Sequence, residues 1–124
     1  MTAPEKSFND LPNFIVMLVD DQAWNGTSVR MLPGMAESAS DFHQTPHLDS
    51  LASMGMRFSN ARASAPVCAP SRYSIQFGKS PARMRLIRVG MDAGHIPHGQ
   101  WVSIAKLLRN VDSTYVAGHF GKWG

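Results

Sequence analysis

The sequence contains a single cysteine, Cys68. An internal disulfide is therefore excluded. The thiol is an inert buried group, a reactive one, or one destined for modification. Long apolar runs are also missing: the longest extends only from Phe14 to Val19, whereas a helix that spans a bilayer needs about 20 apolar residues. No membrane partner is expected. A secretory signature is not visible either. Residues 2–13 are polar and carry Glu5, Lys6 and Asp10, and the apolar run after them ends in Asp20-Asp21 rather than at a small-residue cleavage site. On this reading the chain is cytoplasmic if Met1 is the native start, and periplasmic or secreted if a leader precedes it. Charge is scarce, at 17% of residues with a net +3. That balance favours anionic partners only weakly. No nucleic-acid-binding motif stands beside it, so nucleic acid is not an expected partner.

What remains is an ordinary globular composition. The 124 residues are 44% hydrophobic, the size of one domain, and folding at this length can hide roughly two thirds of the unfolded surface. Residues 1–12 read as a flexible N-terminus. Asn13 to Val19 is β-branched and continuously apolar, the pattern of a strand covered on both faces. Residues 22–44, with Gly26, Pro33 and Gly34, read as a loop longer than compact domains usually carry without a functional reason. Thr45-Pro46 starts a helix, with Asp49 at its positive end and Leu48, Leu51 and Ala52 forming its buried face up to Gly55. Met56 to Ala63 reads as a second strand, Pro70 to Phe77 as a helix closed by Gly78, Trp101 to Arg109 as a helix, and Thr114 to Phe120 as a third strand. Residues 79–100 give no clear signal. Alternating strands and helices predict an α/β fold with a mostly parallel sheet flanked by helices. In such sheets the ligand site lies at the carboxyl ends of the strands. That rule would gather Asp20-Asp21, Cys68 and Lys122 at one edge.

Adjacent carboxylates at the end of a buried strand repel each other. A hard divalent cation relieves that repulsion, and a turn or helix cap is the alternative for Asp20 and Asp21. In Cys68-Ala69-Pro70-Ser71-Arg72 the thiol stands at the start of a proline-initiated helix with Arg72 one turn along. The helix dipole and the guanidinium both favour negative charge there, and a buried thiol beside a helix start is the other account. His95 and His98 in GHIPHG lie close enough to share a metal, but no cysteine or acid at zinc spacing accompanies them, which favours a polar loop. Lys79, Arg83, Arg85 and Arg88 read as a solvated face or as an attraction for polyanions. Trp24 and Trp123 read as cleft lining or as packing.

The pattern Cys-x-Pro-Ser-Arg closely resembles the signature of the type I sulfatases, the formylglycine-dependent branch of the alkaline-phosphatase-like superfamily. Asn13 to Asp21 resembles their metal-binding first strand, TPHLDSLASMGMRFSN at 45–60 the helix and strand that follow, and TYVAGHFGKW at 114–123 the second family signature. In the family's order, these motifs cover residues 12–78 and 101–123. The resemblance implies an alkaline-phosphatase/sulfatase-like fold, apparently truncated, with 1–124 forming the N-terminal part of a catalytic domain. It implies a sulfuric-ester hydrolase acting on a small-molecule or carbohydrate sulfate ester. A formylglycine-generating enzyme would be its partner and would convert Cys68 before folding. The hydrated aldehyde then offers one hydroxyl, bound to calcium, to the sulfur, and the other loses its proton as sulfate is expelled. Carried over by position, Cys68 is the nucleophile precursor, Asp20, Asp21 and the converted Cys68 hold Ca2+, Arg72 steadies the modified side chain, and Lys122 contacts the sulfate oxygens.

The sequence departs from that pattern in ways that bear on activity. Gly124 stands where the second signature has a histidine, and Phe77 where the family often has threonine. On a strand, His119 faces away from Lys122 and so reads as a core or supporting residue. The downstream acid and amide or imidazole ligands of the family's metal are not in this sequence, and calcium takes six to eight oxygens. The chain alone is therefore expected to be inactive. A phosphonate or phosphodiester hydrolase of the same superfamily is one alternative, and a non-catalytic fragment that binds polyanions is another.

Overall fold

The computed structural model describes residues 11–91, 94–97 and 99–123. Its described residues are organised as two compact units that divide between Met56 and Arg57. Four α-helices run in order: α1 (Pro46–Met54), α2 (Cys68–Phe77), α3 (Pro81–Met84) and α4 (Ile104–Val111), with a short 3-10 turn at Ala36–Ser38. None is long and apolar enough to cross a membrane.

No strand forms among the described residues, which departs from the expected parallel sheet. The segments at 13–19, 56–63 and 114–120 have irregular backbone, and their apolar side chains face solvent: Ile15 is 87% exposed, Phe58 66% and Val116 91%. The physical reason is that β-structure belongs to pairs. An extended segment satisfies its N–H and C=O groups only through a neighbouring strand, and no such neighbour is present among the described residues. Local propensity at Phe14 to Val19 remains that of a strand, but propensity without a partner does not make one.

In the first unit, side-chain polar groups rather than an apolar core order the chain. The long segment at 22–44 is stitched at Ser38, which is fully buried. Its hydroxyl donates to the Met35 carbonyl (2.7 Å) and accepts from the Leu32 N–H (3.0 Å). Thr45 occupies the N-cap of α1 as expected, with Pro46 behind it, yet its side chain does not cap the helix. Its hydroxyl instead accepts from the Ser28 N–H at 2.9 Å, while the Ser28 hydroxyl accepts from the Thr45 N–H at 3.0 Å and reaches Asp49 Oδ2 at 2.6 Å. This reciprocal arrangement pins the loop to the helix start. The expected buried face of α1 is not realised: no α1 residue is buried, and Leu51 is 52% exposed.

The second unit has a true core of Tyr73, Phe77, Met84, Leu86 and Ile96, with Met91 and Trp101 packed against it. Tyr73 and Phe77 lie at i and i+4 on α2 and therefore share a face. Their rings stack at 6.1 Å, and Phe77 meets Trp101 edge-on at 5.7 Å. Helix α2 ends where glycine was expected to stop it, at Gly78 in the left-handed region (φ 59°). Helix α3 fell in the stretch without a clear signal. Its start is chemically ordinary, with Ser80 accepting from the Arg83 N–H and Pro81 at the first position. Its end is not ordinary. Arg85 takes φ 52°, a conformation usually left to glycine. The turn is fixed by the Leu86 N–H donating to Pro81 (3.1 Å) and by Met84 and Leu86, each 1% exposed, which anchor it from both sides. Helix α4 begins three residues after the expected Trp101, capped by Ser103. Trp101 itself stays outside the helix, under the Lys79 ammonium at 4.9 Å.

Asp112, the C-cap of α4, accepts from both the hydroxyl and the N–H of Thr114, at 2.6 and 2.7 Å. The hydroxyl bond and then the backbone bond hold its carboxyl below the usual aspartate range, and burial opposes them weakly. A lowered carboxyl stabilises the fold above the unfolded-state value, and that contribution is lost as pH falls through the folded one. Thr114→Val is therefore expected to move the Asp112 midpoint up in a carboxyl-carbon NMR titration and to shift acid loosening of α4 to higher pH. In the core, Leu86→Ala is expected to lower stability by about 2–5 kcal/mol in denaturant unfolding.

Candidate functional site

Cys68 is the first residue of α2. It is half-buried and follows Val67, whose extended backbone supplies no side-chain cap. The preceding loop is held by the Ser71 hydroxyl donating to the Ala65 carbonyl at 2.7 Å. Pro70, buried in the first turn, lacks an N–H at a point where the helix has no internal partner for one. The free N–H groups of the first turn thus surround Cys68 with partial positive charge.

One turn further, Arg72 is buried at 8% exposure. Its Nη1 donates to the Lys122 carbonyl at 3.0 Å, across fifty positions of sequence. Nε and Nη2 are also buried and have no hydrogen-bond partner among the described residues. A guanidinium carries five donors, and burying one without partners costs free energy. Aromatic contacts back up the Arg72–Lys122 tie. Trp123 meets Tyr73 of α2 at 6.5 Å and His119 at 4.8 Å, both edge-on.

These contacts enclose a cavity of about 310 Å³ whose walls include Cys68, Arg72 and Lys122, with Tyr73, Leu86 and Met91 completing the apolar side. Three of the residues singled out from sequence therefore share one cavity. A second cavity, of about 570 Å³, is lined by Arg85, Arg88, Gly90, Met91 and His95. Gly90 and Met91 line both. The sequence reading did not anticipate the contribution of residues 86–91 to this site. The Ser80-Pro81 pair is a helix-start signal that would have ordered the stretch, and Leu86-Ile87 is a short apolar pair between Arg85 and Arg88.

The other candidates are placed as follows. Asp20 and Asp21 belong to the first unit, where they form a turn and are exposed; Asp21 takes φ 53°. No group of three or more His, Cys, Asp or Glu side chains able to hold a metal forms among the described residues. His95 is tied to the protein, its Nε2 donating to the Met84 carbonyl at 2.7 Å, whereas His98 and Gly124 lie outside the described residues. His119 is exposed and packs on Trp123, which corrects the expectation of a core position. Without a strand, alternation no longer dictates its direction. Trp123 serves as packing, and Trp24 is half-exposed in a turn of the first unit.

Comparison with known proteins agrees with the motif reading. A family model described as Sulfatase matches residues 12–124. The chain is 31% identical over 120 residues to arylsulfatase G of Homo sapiens, covering 95% of this chain and 21% of that protein. It is 29% identical over 122 residues to N-acetylgalactosamine-6-sulfatase of Homo sapiens, covering 90% and 21%. It is 30% identical over 120 residues to steryl-sulfatase of Rattus norvegicus, covering 90% and 19%. The chain thus spans about a fifth of the length of the curated relatives it matches. No solved structure matches it. With a family model spanning nearly the whole sequence and a Cys-x-Pro-Ser-Arg motif that opens a helix onto a cationic cavity, the chain belongs to the sulfatase family.

Proposed function

We propose that this chain carries the nucleophile-bearing part of a sulfuric-ester hydrolase, the N-terminal portion of an α/β sulfatase domain whose apolar segments at 13–19, 56–63 and 114–120 pair as parallel strands in the complete fold. The observation that carries the proposal is Arg72. It is buried beside the Cys68 cavity with two guanidinium nitrogens that no group among the described residues satisfies. An anionic group at that place would take up the unused donors, and a sulfate ester or a hydroxylated side chain at position 68 supplies suitable oxygens.

Cys68 is the residue to be converted by a formylglycine-generating enzyme, and the converted, hydrated side chain supplies an oxygen nucleophile to sulfur. Arg72 is the group to hold that side chain, and its permanent charge favours an anion without any proton transfer. Lys122, which lines the same cavity, offers an ammonium to the developing charge on the sulfuryl oxygens. Leu86, Met91 and Tyr73 give the cavity apolar lining beside both charges. Asp20 and Asp21 are offered as oxygen donors to calcium together with the converted residue 68. They are too few to fill a shell of six to eight oxygens, and no metal-binding group closes among the described residues. The 124 residues alone are expected to turn over no sulfate ester.

Peptide mass spectrometry across residue 68, on protein co-produced with the modifying enzyme, should find an aldehyde in place of the thiol. An unmodified thiol under those conditions removes the nucleophile and with it the proposal. A second test separates a binding role for Arg72 from a structural one. Arg72→Met replaces an under-satisfied buried charge with an apolar group of similar length, so thermal unfolding should show unchanged stability or a gain of about 1 kcal/mol. Sulfate binding measured by calorimetry should be lost in the same variant. Loss of stability with binding intact would show that the guanidinium serves packing only.

A further inference from the structure

The chemistry at Cys68 uses nothing from residues 22–44, and one pair there carries a reactivity of its own. Asparagine stands at positions 9, 13, 25, 60 and 110, and only Asn25 is followed by glycine. Trp24 and Asn25 form the middle of a turn closed by the Gly26 N–H, which donates to the Ala23 carbonyl at 2.9 Å. Here glycine is required by crowding. A Cβ at position 26 would lie 2.9 Å from the Ala23 carbonyl oxygen and 3.2 Å from Gln22 Cγ, so the turn keeps residue 26 without a side chain. The same bareness leaves the Gly26 nitrogen open to the carboxamide beside it. Asn25 is exposed, and its Nδ2 donates to the Glu37 carbonyl at 3.2 Å. That bond ties the turn to the 3-10 turn at Ala36–Ser38.

We infer that Asn25 is a site of spontaneous deamidation, at a rate set by the opening of this turn. The Gly26 nitrogen gives its proton to water or hydroxide and bonds to Asn25 Cγ. The Cγ–Nδ2 bond breaks, and the amide nitrogen leaves as ammonia. The cyclic imide then takes up one water at either of its carbonyls, leaving aspartate or isoaspartate at position 25. Water is the sole co-reactant, and nothing is oxidised or reduced. In the closed turn both nitrogens are engaged, Gly26 N–H on Ala23 and Asn25 Nδ2 on Glu37, so the reaction runs from the opened form. Opening costs little, because no residue from 22 to 26 is buried, and exposed hydrogen bonds with little apolar burial belong to the least stable parts of a fold. The product changes the loop. A carboxylate at 25 has no hydrogen to donate and turns oxygen toward the Glu37 carbonyl, so the two turns part. It also adds a third acid after Asp20 and Asp21. The isoaspartyl form is the chemical class that carboxyl-methylating repair enzymes accept. None of this depends on conversion of Cys68.

The test follows the whole chain at mildly alkaline pH by peptide mass spectrometry, with isoaspartate detected through methyl transfer by an isoaspartyl methyltransferase. The peptide holding Asn25 should gain the mass of an amide-to-acid exchange, with isoaspartate in excess of aspartate. Peptides holding Asn13, Asn60 and Asn110 should stay unchanged over the same days. Ser38→Ala removes the hydroxyl that fixes the turn carrying the Glu37 carbonyl and should speed conversion at Asn25 several-fold. The chain unfolded in urea should convert faster still than the folded one. Asn25→Asp, which carries the charge of the product, should speed amide exchange at Gly26 and across residues 36–38. A folded chain that stays unconverted while the unfolded chain reacts would overturn the inference, as would conversion spread evenly over the asparagines. Equal rates in the folded chain, in Ser38→Ala and in urea would overturn the control by the turn. Unchanged amide exchange in Asn25→Asp would overturn the loosening of the loop.

Discussion

A buried guanidinium demands partners, and among the described residues the demand is met in one direction only. Arg72 is fixed by the start of α2, four positions after Cys68, and its Nη1 draws the Lys122 carbonyl to within 3.0 Å. That one bond joins the helix that carries the thiol to the segment that carries the lysine. The cavity exists because of it: Cys68 and Arg72 enter from α2, and Lys122 follows its own carbonyl. The two nitrogens of Arg72 that remain unmatched mark an environment shaped for a negative charge more than for stability. Surface ion pairs contribute little on average, but a guanidinium held out of water beside apolar walls keeps much of its field.

The packing of the second unit serves the same end. Tyr73 and Phe77 fix the roll of α2, and Trp123 on Tyr73 supports the return segment. Met84 and Leu86 hold the turn after α3, whose left-handed Arg85 departs from what backbone energetics would choose. In the first unit the order comes from hydroxyl groups instead. Ser38 and the Ser28–Thr45–Asp49 set give that loop a defined course with almost no apolar burial. Hydrogen bonds of this kind add about 1 kcal/mol each at most sites, so such a unit is held by direction more than by burial.

What was legible in the sequence was local and chemical. Thr45-Pro46, Gly78 and the Cys-x-Pro-Ser-Arg spacing each act within one helical turn, and the helices begin and end close to where those residues place them. The order of the motifs also carried the family. The strands were illegible in a deeper sense. Phe14 to Val19 has the composition of a buried strand but is exposed among the described residues, because pairing is decided by a neighbour and not by the segment. The turn at Arg85 was equally hidden, since a positive φ is read from sequence mainly through glycine. The link between Arg72 and Lys122 spans fifty residues, and no periodicity reports a contact of that range. Only the family resemblance set both residues at one site.

The central claim is that Arg72 is held out of solvent beside Cys68 and Lys122, ready for an oxyanion. The most direct measurement is the side-chain nitrogen resonance of Arg72 followed during titration with inorganic sulfate. The account predicts a slowly exchanging Nε–H that shifts on saturation, together with the Lys122 ammonium. A rapidly exchanging Arg72 that stays unmoved while sulfate binds would contradict it.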